Sequence, residues 1–145
     1  MIEDHLRYLK IPDAIQVASN DPHRIADSFQ NRVGFPIRLP ELSDANLLGA
    51  RFCWIKRNKA LLSFYETHGQ RLSIFAIDQN ALPRNAVKAI HCTSFGRYEV
   101  CLLRAAPELL AMVGEKHETE AILPEFERFG VAAPRGTGNN SSRSD

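Results

Sequence analysis

The chain has 145 residues, 44% hydrophobic and 24% charged, a size and balance that let one domain bury a core without disulfides or metals. No apolar run approaches the roughly 18 residues needed to span a bilayer, so this chain is not expected to insert directly into a membrane. Eighteen basic residues face seventeen acidic ones and the arginines are scattered, which argues against a nucleic-acid surface, whose affinity comes mainly from neutralising phosphates.

The opening MIEDHLRYLK mixes acids, bases and a histidine where a signal peptide needs a charged head followed by an apolar stretch. If the natural protein is exported, the chain is then expected to be an excised part of it. Ala14 to Ser19 (AIQVAS) reads as a short strand. Asp21-Pro22 opens a helix, with a side-chain acceptor at the cap and proline at the first helical position. Ile25, Ala26, Phe29 and Val33 repeat at helical spacing and Gly34 supplies a left-handed exit, so the helix is expected over 22–33.

Phe35-Pro36-Ile37-Arg38-Leu39-Pro40 is extended, because prolines remove donors and restrict the residues before them; it suits an edge strand or a strand-like connector. ELSDAN follows as a polar loop. Three strand-like runs come next, LLGARFCWIKR, KALLSFYET and RLSIFAID, with turns expected at Asn58-Lys59 and His68-Gly69-Gln70. Alternation places Phe52 and Trp54 on one face of the first run, expected to be the core face, and Arg51, Cys53 and Ile55 on the other. Both faces of the next two runs are partly apolar, which predicts helices over much of the sheet.

DQNALPRN, from Asp78 to Asn85, is turn chemistry, and Ala86 to Leu103 reads as a hairpin around Gly96-Arg97, a type II′ turn signal. Pro107 is expected to open a helix, PELLAMVGEK, with a looser second one in HETEAILPEFERF, interrupted by Pro124. The tail 134–145 (PRGTGNNSSRSD) has no apolar content and is expected to be disordered. Together these elements predict one α+β domain over residues 1–133: a largely antiparallel sheet of six or seven strands with two or three helices packed on it.

Three cysteines allow at most one intramolecular bridge. If Gly96-Arg97 is a two-residue turn, Phe95 pairs with Tyr98, Thr93 with Val100 and Cys92 with Cys101, which brings two sulfurs together on one face. A four-residue loop over 94–97 would shift the register and separate them. The pair is accordingly either a redox or ligand-sensing element, able to bridge in an oxidising compartment, or two buried apolar thiols. Thiolate and imidazole suit zinc or copper, which makes His91, Cys92, Cys101 and Cys53 candidate metal ligands. Adjacent strand residues point to opposite faces, however, so His91 and Cys92 cannot readily hold one ion, and the chain contains no CxxC or HxxxH spacing. Glu66 and His68, two residues apart on a strand, are the best acid/base pair and an alternative metal pair. They also sit at a strand end beside Gly69, where polar residues are expected in any hairpin. No Ser/His/Asp order, P-loop or Rossmann fingerprint is found, and no catalytic residue is assigned.

GFPIRLP, then LLGARFCWIKRNKALLSFYETHGQRLSIFAID, then a loop and GRYEVCLLRAAPELLAMVGE form an order that resembles a known domain. It is similar to the extracytoplasmic domain that follows the transmembrane helix in bacterial zinc-finger anti-sigma factors. There a polar loop leads into an L-x-G-(A/G)-R strand, an A-x-L-x-Y strand, a strand resembling R-x-S-(I/L)-F, and a G-(R/Y)-x-V strand before the last helix. The resemblance covers about Asp21 to Glu115. It implies a non-catalytic sensory or regulatory domain in signal transduction and transcription regulation, binding a small ligand or protein partner, or sensing redox or metal status. Its location would be periplasmic or otherwise extracytoplasmic if the chain is excised from a membrane-anchored protein, and cytoplasmic otherwise. The H-x-x-x-C-x-x-C zinc motif and transmembrane helix of those proteins are not in this sequence, so direct sigma-factor binding transfers to no residue here.

A competing resemblance rests on the β-α-β-β-β order of AIQVAS, the helix from Asp21 and the three following strands. That order is similar to one module of the vicinal oxygen chelate enzymes, which hold a divalent metal with His and Glu on paired modules. It implies a metal-dependent enzyme or metal-binding protein acting as a homodimer, with Glu66 or His68 as the ligands available from the first half.

Overall fold

A computed structural model describes residues 2–9, 14–78, 90–105 and 108–131. Its elements in chain order are α1 (Ile2–Leu9), β1 (Val17–Ala18), α2 (Pro22–Val33), β2 (Asn46–Ile55), β3 (Asn58–Thr67), β4 (Gln70–Asp78), β5 (Ile90–Phe95), β6 (Tyr98–Ala105), β7 (Glu108–Glu115) and α3 (Lys116–Val131). The seven strands form one antiparallel sheet in the order β1-β2-β3-β4-β7-β6-β5. The expected α+β architecture is therefore the observed one.

Local chemistry explains α2. The Asp21 side chain accepts the His23 N–H at 3.0 Å, Pro22 occupies the first turn, and Gly34 closes the helix at φ +80° with its N–H on the Gln30 carbonyl. Ile25, Phe29 and Val33 form its buried stripe. They meet Leu61, Tyr65, Leu72, Ile74, Leu110, Met112, Cys101 and Leu103 on one face of the sheet, where Ile122 and Phe126 of α3 complete the layer. The opposite face gathers Leu62, Phe64, Phe75, Ile77, Leu109, Ala111 and Val113. On that face α1, an element for which no expectation was formed, places buried His5 2.6 Å from the Ser73 hydroxyl.

Several expectations are corrected. PELLAMVGEK does not make a helix: Glu108–Glu115 is a strand between β4 and β6, with Leu110 and Met112 facing one layer and Leu109, Ala111 and Val113 the other. Leu, Ala, Met and Glu favour helices intrinsically, but a run with no polar face suits a strand buried on both sides, and tertiary packing overrides propensity. HETEAILPEFERF does form a helix, with Pro124 inside it.

The first meander turn is Lys56-Arg57, with Lys56 at φ +58°, and Asn58-Lys59 already pairs with Ile55 and Trp54. AIQVAS contributes only a two-residue strand at the sheet edge. The stretch Phe35 to Pro40 is a connector without ladder pairing, yet it is anchored: Tyr65 Oη donates to the Pro40 carbonyl at 2.8 Å, and Glu108 accepts the Arg38 backbone N–H at 2.8 Å.

Trp54 is 54% exposed whereas Cys53 is buried in the second layer. The Phe52/Trp54 face is covered only as far as Phe52, over which the Arg32 guanidinium of α2 lies. The loop 79–85, the start of the expected hairpin at 86–89 and the tail 134–145 fall outside the described residues.

Candidate functional site

The β5–β6 hairpin turns on Gly96, whose φ of +63° is a conformation that glycine adopts without steric cost. The turn is two residues long. Phe95 pairs with Tyr98, Thr93 with Val100 and Cys92 with Cys101, so the register of the shorter of the two loops holds. The cysteines face each other across a narrow pair, Cα to Cα 4.0 Å, and are joined by a disulfide. Cys101 is fully buried and Cys92 half-buried, so only one sulfur-bearing residue is open to solvent.

Alternation along β6 brings a residue that the sequence reading passed over. Glu99, two positions before Cys101, shares its face and is only 8% exposed. The Thr119 hydroxyl of α3 donates to Glu99 Oε1 at 2.8 Å and also lies 3.0 Å from the Lys116 carbonyl, so one proton is shared between two acceptors. One ligand atom from each of Cys92, Glu99 and Cys101 lies within 4.8 Å of the others. Among the described residues no other group of three His, Cys, Asp or Glu side chains converges in this way.

The other sequence candidates go elsewhere. His91 pairs with Leu102 on the opposite face of the hairpin and its Nε2 is 3.2 Å from the Thr93 hydroxyl. Cys53 lies outside the disulfide, in the second layer. Neither joins the cysteine pair: the strand pleat turns His91 to the other face, and Cys53 is on β2, four strands from β6 in the sheet. Glu66 is exposed and pairs with Arg71 across the sheet. His68 occupies the following turn at φ +51°, with Nδ1 3.2 Å from Glu118 Oε1. The turn thus breaks the strand alternation that was to place Glu66 and His68 on one face, and His68 is engaged with α3.

A second polar centre lies under the connector. Glu108 is fully buried, and burial pushes its carboxyl up to about 8 against the lowering effects of the Arg38 N–H and the Arg38 charge. The Arg38 guanidinium sits 4.5 Å over the Phe129 ring, and its Nε and Nη2 are buried without a hydrogen-bond partner. Arg38 lines a cavity of about 330 Å³ together with Pro22, His23, Ala26, Ile37, Leu39, Glu41 and Phe129.

No protein family, curated protein or solved structure matches this chain. No helix among the described residues is long and apolar enough to cross a membrane.

Proposed function

We propose that the chain is a non-catalytic sensory or regulatory domain of the anti-sigma-factor kind, working in an extracytoplasmic compartment, with Cys92 and Cys101 as its redox-responsive element. The observation that carries this reading is the disulfide across an edge hairpin, one residue of it accessible and the other packed beneath α3. A sensor needs two states of different free energy rather than a reaction on a substrate. Attack by a dithiol reductant on the bridge breaks the S–S bond, leaves two cysteine thiols and closes the reductant into its own disulfide. The accessible Cys92 side is the natural point of attack, and an oxidising compartment favours the bridged state.

Counting reactive thiols in the folded and denatured protein, before and after a dithiol reductant, tests the reading. We expect one thiol per denatured chain as purified from an oxidising compartment, and three after reduction. Three thiols that persist through treatment with a disulfide oxidant would sink the proposal.

A second reading within the same class is favoured by the orphaned Arg38 nitrogens. A cavity of this size, its apolar walls interrupted by His23, Arg38 and Glu41, offers a small carboxylate with an apolar body one guanidinium to pair with. Benzoate, used as a probe in ligand-observed NMR, should bind the parent and lose binding in Arg38→Met; equal binding by both would remove Arg38 from consideration.

A further inference from the structure

We infer that in the reduced protein Cys92, Glu99 and Cys101 together hold a divalent thiophilic ion, zinc being the model case, so that metal occupancy and the disulfide are mutually exclusive states of one site. This rests on the proposed reading that the bridge can be reduced in the folded chain.

The donor set is chemically matched. Two thiolates and a carboxylate are borderline-soft and hard donors that zinc accepts together, with ligand atoms about 3.5–4 Å apart around a tetrahedral ion. The three side chains already have ligand atoms within 4.8 Å of one another. Rotation of the sulfurs apart after reduction brings them to the required spacing without a change of register, because Cys92 and Cys101 stay paired by the ladder.

Glu99 distinguishes this site from a plain cysteine pair. A carboxylate in a nearly buried position needs partners, and its one described hydrogen bond comes from Thr119. With two oxygens it can keep Thr119 on one and offer the other to the ion, while the threonine fixes its orientation from outside the ligand shell. Three protein ligands leave a fourth position on the side of the half-buried Cys92, where water can enter. Such an open site exchanges its ion, as a sensor requires. Binding displaces two protons from the thiols; exchange with a disulfide oxidant, which is itself reduced to two thiols, re-forms the Cys92–Cys101 bridge, removes both thiolate ligands and expels the ion.

The test uses the full chain, reduced with a phosphine, desalted without oxygen and titrated with cadmium as a spectroscopic stand-in for zinc. We expect one equivalent to produce the ultraviolet thiolate-to-cadmium charge-transfer band, and the bridged protein to produce none. Cys92→Ser should abolish the band and Cys53→Ser should preserve it. Glu99→Gln, which keeps an acceptor for Thr119, should weaken zinc binding by at least about tenfold in competition with a chromophoric chelator. Thiol counting and circular dichroism accompany each titration. If both thiols react in a folded protein and no band forms, the metal inference is overturned while the redox reading stands. A bridge that cannot be reduced without unfolding overturns both. Loss of the band in Cys53→Ser, or unchanged affinity in Glu99→Gln, overturns the ligand assignment.

Discussion

Glu108 should make the protein lose stability as the solution becomes more alkaline, the reverse of an ordinary salt-bridged carboxylate. Its folded value of about 8 lies above the 4.5 of a solvated glutamate. Between these two values the unfolded chain has released the proton and the folded chain keeps it, so unfolding releases a proton and rising pH favours unfolding. Each pH unit in that window is worth about 1.4 kcal/mol, and the loss from pH 4.5 to neutrality is roughly 3 kcal/mol. The cause is positional. Glu108 opens the central strand β7 and reaches under the connector to accept the Arg38 N–H, where no water can solvate a charge. Glu108→Gln preserves that acceptor and never ionises. Urea unfolding followed from pH 6.5 to 8 should show the parent's midpoint falling and the variant's staying level, with the variant the more stable by a few kcal/mol at pH 8. A parent that is flat over this range, or a glutamine variant that is weaker throughout, would show that Glu108 is ionised and held by the Arg38 charge, and the reasoning would fail.

His5 predicts the opposite slope at acid pH. Burial, helped by the Arg71 charge and opposed by Glu115, lowers it from 6.5 to about 4; the parent should lose stability as pH falls through that interval, and His5→Gln should lose less, as measured by the same urea series. In the overlap of the two windows the two slopes oppose each other, so only the variants separate them. Reducing the Cys92–Cys101 bridge releases a loop of sequence separation 9; chain entropy puts its contribution at about 2.5 kcal/mol, which should appear as a lower urea midpoint in dithiol than in air. Gly49→Ala places a Cβ against the Val17 carbonyl and the Ile15 side chain at φ +154°, and should cost more than about 2 kcal/mol and release β1, visible as faster amide exchange at Gln16 and Ser19.

What the amino-acid order reveals depends on whether the decisive forces are local. α2 carries its own cap, its own proline and its own exit glycine, and it is legible to the residue. The Cys92–Cys101 register is legible because a single glycine selects a two-residue turn. β7 is not legible in the same way: its residues favour a helix, and only the neighbours β4 and β6, supplied from elsewhere in the chain, make it a strand. α1 is short and lies at the start of the chain, where no capping signal marks its first turn. Glu99 is the instructive omission. Strand alternation alone places it beside Cys101, yet a glutamate in mid-strand suggests a solvent-facing side chain. Its burial depends on Thr119, 20 residues further along. Lys56-Arg57 similarly won the turn over Asn58-Lys59 because cross-strand pairing on both sides of β3 set the register against the local preference of asparagine.

The placement of the cysteine face bears on how a change there would travel. Among the described residues β5 is an edge strand whose sole neighbour in the sheet is β6, so on the proposed reading a change at the cysteines acts at the rim, three strands from β4. The start of α3 is tied to this hairpin at three points. Thr119 donates to Glu99, the Lys116 N–H donates to the Arg97 carbonyl at 2.9 Å, and Arg97 Nη2 donates to Glu115 Oε2 at 3.0 Å just before the helix begins. The surface ion pair is worth little by itself. The Glu99 contact is the consequential one, because a nearly buried carboxylate that offers one oxygen to an ion and keeps Thr119 on the other links the ion directly to α3. On the proposed reading, the first turn of α3 is therefore where a change at Cys92 becomes a change of shape, and Ile122 and Phe126, packed on the sheet through the same helix, set how far that change can spread.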